Sequence, residues 1–278
     1  FIPWELLYNG NNFLSLDFNI GRLVKTKSQP LSSNYRSSGH FLKMLILADP
    51  TQDLKSAYTE GLNIRNMFDR RRSDIRIDFK SSSIDKLYIN KNICEYDIVH
   101  FAGHCEYNPK NVNKSGWVLK DSNFTVQDVL RLSGSLLPQL IFSNACNSVF
   151  PSGEGSVDKD YQKKNYSLAS AFLFSGVRHY IGSIRKIEDN ASLKFAKEFY
   201  HSLILGNSIG LSLRNARLKL VTEFGIASMH WANYILYGDP NFSFFKPKTS
   251  KERKKIILPV KLFFFRSEEH TSELQSQN

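Results

Sequence analysis

From Lys43 onward, short unbroken apolar runs alternate with longer stretches in which apolar residues recur every three or four positions. The runs over 43–49, 97–102, 139–143 and 178–183 read as strands buried on both faces. Residues 74–79 alternate Ile75, Ile77 and Phe79, a further strand. Helical spacing predicts helices over 53–72, 83–92, 125–132, 168–175, 190–205 and 208–223. Thr125 is placed to cap the third, Gly176 to stop the fourth, and Gly206-Asn207 to divide the last two. Residues 116–119 read as an extended arm, and the last apolar run, 233–237, closes at Gly238-Asp239-Pro240. Strand alternating with helix predicts an α/β class, with a mostly parallel sheet covered by helices on both faces.

Outside that alternation the pattern changes. Residues 1–24 hold two apolar runs around Asn9-Gly10-Asn11-Asn12 and predict a β-hairpin. Residues 25–39, polar and rich in Ser, predict a linker, and 40–245 the core. An extension of basic and apolar residues follows at 246–265. Residues 266–278 resemble the in-frame translation of a sequencing adaptor and are set aside as an artefact. The chain opens on Phe1 inside an apolar run, so further polypeptide is expected upstream.

Bulk properties narrow the classes. No apolar stretch is long enough to cross a membrane, and no leader pattern is present. The three cysteines, Cys94, Cys105 and Cys146, have neither metal-like spacing nor an even count, which points to thiols in a reducing cytoplasm. Setting 266–278 aside removes one base and three acids, raising the formal net charge from +11 to +13. That charge suggests nucleic acid, but the bases are scattered, with runs only at Arg70-Arg71-Arg72 and in 251–255. The first run follows a predicted helix, where positive charge suits the dipole. A solvated surface accounts for both, and no nucleic-acid partner is expected.

Ligands of open α/β sheets gather beyond the carboxyl ends of the strands. Two strand ends here deliver chemistry: Gly103-His104 and Ala145-Cys146. On neighbouring strands, the imidazole would face the thiol, lower its pKa and take its proton. A cysteine there also serves as a small buried hydrophobe, and from spacing alone both readings stand. His100 and His104 are four apart on a strand end rather than on one helix face, so no shared metal is expected. His100 reads as a hydrogen-bonded core residue. Gly153-Glu154-Gly155 lacks the third glycine of a dinucleotide loop. Trp4, Trp117 and Trp231 are assigned to the core or to a cleft wall.

Asp97-Ile98-Val99-His100-Phe101-Ala102-Gly103-His104 and Leu140-Ile141-Phe142-Ser143-Asn144-Ala145-Cys146-Asn147-Ser148 resemble the His and Cys motifs of the CHAT domain, a family of caspase-like cysteine peptidases. The likeness extends to Ile2-Pro3-Trp4-Glu5-Leu6-Leu7, Ile20-Gly21-Arg22, Leu168–Val177, Tyr180-Ile181-Gly182-Ser183, Gly206-Asn207-Ser208-Ile209-Gly210 and Tyr237-Gly238-Asp239-Pro240. It implies a caspase-like three-layer α/β/α sandwich that hydrolyses peptide bonds of a protein partner through a thioester. His104 would be general base and acid, Cys146 the nucleophile, and the backbone N–H groups of Cys105 and Cys146 the oxyanion donors. No metal or organic cofactor is implied; upstream repeat or sensor domains are. Asp189, 43 residues after Cys146, corresponds to an acid lining the first specificity pocket; alternatively it caps the helix that follows. The second reading of the whole chain is an inactive pseudopeptidase that serves as a protein-interaction module.

Overall fold

The computed structural model describes residues 4–23, 41–108, 110–132, 135–145, 168–185 and 187–246. The chain divides into a compact unit, Phe1–Pro247, and a second, Lys248–Asn278, which lies outside the described residues. The expected linker, the loop at 150–164 with its Gly-Glu-Gly, the Lys/Arg run in 251–255 and Cys146 itself also lie outside them.

Six strands form the central sheet: β1 (Leu42–Ala48), β2 (Ile75–Lys80), β3 (Ile98–Ala102), β7 (Leu140–Asn144), β8 (His179–Ser183) and β9 (Tyr234–Tyr237), in the order β2-β1-β3-β7-β8-β9. All neighbours are parallel except β8 with β9. Three short strands, β4 (Cys105–Glu106), β5 (Gly116–Val118) and β6 (Asn123–Thr125), form a separate antiparallel sheet. The extended arm foreseen at 116–119 is the middle strand of that sheet.

Continuous apolar strands serve two cores because successive side chains point to opposite faces. Met44, Ile46, Ile98 and Phe142 face one core with helices α2 (Lys55–Asp69), α6 (Asp189–Ile204) and α7 (Ile209–Phe224). Leu45, Leu47, Val99, Phe101 and Ile141 face the other with α3 (Lys86–Asn92), α4 (Val126–Arg131) and α5 (Leu168–Ser175). Helix, sheet and helix thus form the three-layer sandwich. Helix α2 shows how the pattern works: Ala57, Gly61, Ile64 and Phe68 fall on one buried stripe. Full burial of Ile64 and Phe68 contributes about 1.5–3 kcal/mol each. Thr125 caps α4 in a reciprocal box with Asp128, as its position predicts. Arg72, just past α2, bonds Asp74 and lies over the Phe245 ring.

At the N-terminus the described residues differ from a two-stranded hairpin. A 3₁₀ turn, Trp4–Leu6, and a one-turn helix α1 (Leu14–Asp17) flank a single antiparallel bridge, Tyr8–Phe13. The Asn9 turn does form, its side chain accepting the Asn11 and Asn12 amides. Helix wins over strand because Ser15 and Leu16 are buried by tertiary contacts, with Ser15 Oγ donating to the Glu5 carbonyl and Phe13 against Trp231. Arg22 then bridges Tyr237, so this segment covers the β9 edge. Trp117 and Trp231 are core residues, whereas Trp4 is exposed.

Candidate active site

Strands β3 and β7 are hydrogen-bonded neighbours, with Ala102 the register partner of Asn144. His104 and Cys146 each follow two residues later, so adjacent strand ends lead to both. His104 is half-buried, and its placement has local causes. The Val118 amide donates to its carbonyl at 2.9 Å, and Cys105 pairs with Trp117 across β4–β5. Trp117 in turn stacks on Phe101, 4.4 Å between centroids, and donates from Nε1 to Ser143 Oγ at 2.8 Å. The small sheet is therefore pinned beneath β3 and β7. The Val118 bond makes Cys105–Trp117 the non-hydrogen-bonded type of antiparallel pair, so the Cys105 N–H is turned away from β5.

The imidazole Nε2 of His104 lies 3.2 Å from Asp53 Oδ1. Asp53 ends the loop after β1, which Asp49 shapes: with φ of +53°, it accepts the Asp53 and Leu54 amides on Oδ1 at 3.1 and 2.9 Å. The Thr51 hydroxyl, which donates to Asp53, is the main cause holding that carboxyl below the usual carboxylate range; the charge of His104 adds to it. With Nε2 on Asp53, Nδ1 is the ring atom left to face a thiol. Asp53 carries no sequence signal of this role; its separation from His104, 51 positions, hides the pair.

Between the strand ends and the N-termini of α2 and α6 lies a half-open cavity, lined among others by Ser56, Glu60, Asn144, Ser183 and Asp189. Asp189 opens α6, and its Oδ2 accepts from Ser56 Oγ at 2.7 Å. The backbone carbonyl of Glu188, not the Asp189 side chain, receives the Ser192 amide. The Asp189 carboxylate thus reaches across the cavity mouth rather than capping its own helix. His100 is fully buried, between Glu60 (2.9 Å) and the Tyr200 hydroxyl (3.2 Å).

A mostly parallel α/β sandwich whose neighbouring central strands lead to a histidine and a cysteine is a fold of the cysteine-peptidase type. The chain belongs to the CHAT domain family, which matches residues 1–239. Among solved structures it is similar to the Arg specific cysteine proteinase gingipain R (RgpB), at 17% identity and TM-score 0.54, over 75% of this chain and 49% of that one. A complex of Porphyromonas gingivalis RgpB pro- and mature domains gives 15% and 0.52, over 73% and 48%. A Saccharomyces cerevisiae separase–securin complex gives 15% and 0.56, over 87% of this chain and 15% of that one. The chain thus spans about half of the gingipain chain and a small part of the separase chain. No curated protein sequence matches it. Among the described residues, no helix is long and apolar enough to cross a membrane.

Proposed function

We propose that the chain is a cysteine endopeptidase in which Cys146 attacks a peptide carbonyl and His104 moves the proton. His104 takes the thiol proton, the thiolate adds to the carbonyl, and the N–H groups of Cys105 and Cys146 receive the oxyanion. His104 returns the proton to the leaving amine, and water, deprotonated by the same imidazole, hydrolyses the thioester. The observation that carries this reading is the β3–β7 register, which starts both residues from the same edge of adjacent strands. Asp53 on Nε2 adds an orienting partner.

Asp189 is the proposed receptor for a basic side chain just before the scissile bond. Its support is a carboxylate at the cavity mouth and the arginine specificity of the similar proteinase gingipain R. Upstream regulatory domains and a cytoplasmic setting complete the proposal. A thiol-reactive peptide probe tests it. Labelling should vanish in Cys146→Ala and His104→Ala and persist in Cys105→Ala; equal labelling of all three thiols would remove the peptidase reading. Binding of peptides without any turnover would instead favour the pseudopeptidase. For Asp189, a peptide library cleaved identically by wild type and Asp189→Asn would eliminate the acidic pocket.

A further inference from the structure

Glu60 sits mid-helix in α2 with 3% of its surface exposed, and the proposed reaction does not use it. His100 Nε2 lies 2.9 Å from its Oε1, and Asn144 Nδ2 donates to both Oε1 and Oε2 at 2.7 Å. Behind His100 the Tyr200 hydroxyl meets the other ring nitrogen at 3.2 Å, and Tyr234 donates to Asn144 Oδ1 at 2.7 Å. Burial, reinforced by the Glu60 charge, raises the Tyr200 phenol well above its usual range, so it stays an O–H donor. His100 thus bridges the two, its Nε2 on the Glu60 carboxylate and its Nδ1 on the Tyr200 hydroxyl. Among the described residues His100 is the one ion-pair partner of Glu60, and no described Lys or Arg pairs with this buried carboxylate. Such a charge is costly until a cation reaches it.

Two features make this more than core structure. Glu60 lines the same cavity as Asp189. A carboxylate offers about four acceptor positions; these contacts occupy two on Oε1 and one on Oε2, leaving capacity on Oε2. Asn144, meanwhile, is the last residue of β7, two before Cys146, and its side chain is held at both ends. Its neighbour is held too, the Ala145 carbonyl accepting from Ser183 Oγ at 2.6 Å.

We infer that Glu60 is a positioning residue that couples the cavity to the nucleophile. A guanidinium or ammonium group of the substrate bonds Oε2 and neutralises the buried charge. That fixes the carboxylate against Asn144, and so the backbone that continues to Cys146. Substrate charge then raises the rate of bond formation as well as binding. This rests on the proposed peptidase reading, and the test separates the two.

Two peptide acyloxymethyl ketones differing only in the last residue, arginine or its neutral isostere citrulline, are compared on the whole chain. Mass spectrometry follows labelling of Cys146, giving a saturating rate and a half-saturating concentration. Wild type should favour arginine in the saturating rate itself. Glu60→Gln should cut that preference about tenfold or more, the scale of one charge-assisted hydrogen bond. Glu60→Asp keeps the charge but shortens its reach, and should keep the preference while slowing both probes. Tyr234→Phe frees one end of Asn144 without touching the cavity floor, and should slow both probes equally. Thermal melting checks that each variant folds. Glu60→Gln behaving as wild type, or slowing both probes by one factor, overturns the coupling. If Glu60→Gln does not fold, Glu60→Asp labelling at wild-type rates overturns it as well. Wild type labelling equally with both probes overturns the coupling and leaves the peptidase reading standing. No labelling by either probe, with iodoacetamide still reacting at Cys146, removes the peptidase reading first.

Discussion

The contact between His104 and Asp53 joins two side chains that are 43% and 62% exposed. In that setting water screens the pair, so it adds little to stability, and its consequence is orientation. The Asp53 carboxyl is held below the usual range and remains ionised throughout the pH range in which an imidazole titrates. Asp53→Asn keeps the shape, removes the charge and offers a donor where an acceptor is needed. Steady-state peptide hydrolysis should fall roughly tenfold, well short of the loss at a buried triad carboxylate, with the melting temperature unchanged. Hydrolysis equal to wild type would show that the contact does not orient the base. His104 and Cys146 are legible in the sequence because each ends a recognisable apolar run. Asp53, Ser56 and Glu60 are not, because their partners lie 51, 133 and 84 or 40 positions away.

At the scale of elements, α2 carries Ser56 and Glu60 of the candidate site, follows directly on Asp53, and must sit at one height over the sheet. Gly61 sets that height: a Cβ there would lie 2.7 Å from Ala48 Cβ, 2.9 Å from Phe79 Cε2 and 3.0 Å from Ile46 Cγ2. Alanine in a helix interior normally gains about 0.5–1 kcal/mol over glycine, while overpacking a close-packed core costs about 1–3 kcal/mol. The second term wins, since rigid groups on both strands block the methyl. Gly61→Ala is expected to lower stability by about 1–2 kcal/mol in urea unfolding, and to reduce activity by lifting Asp53 and Glu60 together. A stabilised Gly61→Ala protein would refute the close-packing account. The same competition between local pattern and packing explains the N-terminus, where alternating residues that suit a hairpin form a turn of helix instead. Leu16, Phe13 and Ser15 find partners on Trp231 and Glu5 that no local rule supplies.

For the whole molecule, one buried histidine ties folding to pH. His179, at the start of β8, donates from Nδ1 to the Gln139 carbonyl at 3.0 Å and packs against Phe242. Burial is the main cause that pushes its pKa down to about 4 from an ordinary 6.5. Its folded-state pKa is lowered, so the stabilisation is complete above about pH 6.5 and lost as pH falls towards 4. The loss is at most about 3 kcal/mol. Wild type should melt progressively lower between pH 6.5 and 4, and His179→Gln should flatten that slope while starting less stable at pH 7. Equal slopes in the two proteins would rule out His179 as the source.

The sequence alone determined the strands and helices of the central sandwich and the two strand ends that lead to His104 and Cys146, since the period of apolar residues and the turn chemistry after each run are local properties. It also carried enough ordered motifs to point to the CHAT domain family. Only the tertiary structure decided that β7 lies beside β3, and that α2 and α6 face each other across their ends. Strand order is a choice among crossovers that local periodicity does not encode. The contacts of Asp53 with His104, Ser56 with Asp189, and Glu60 with Asn144 follow from that choice.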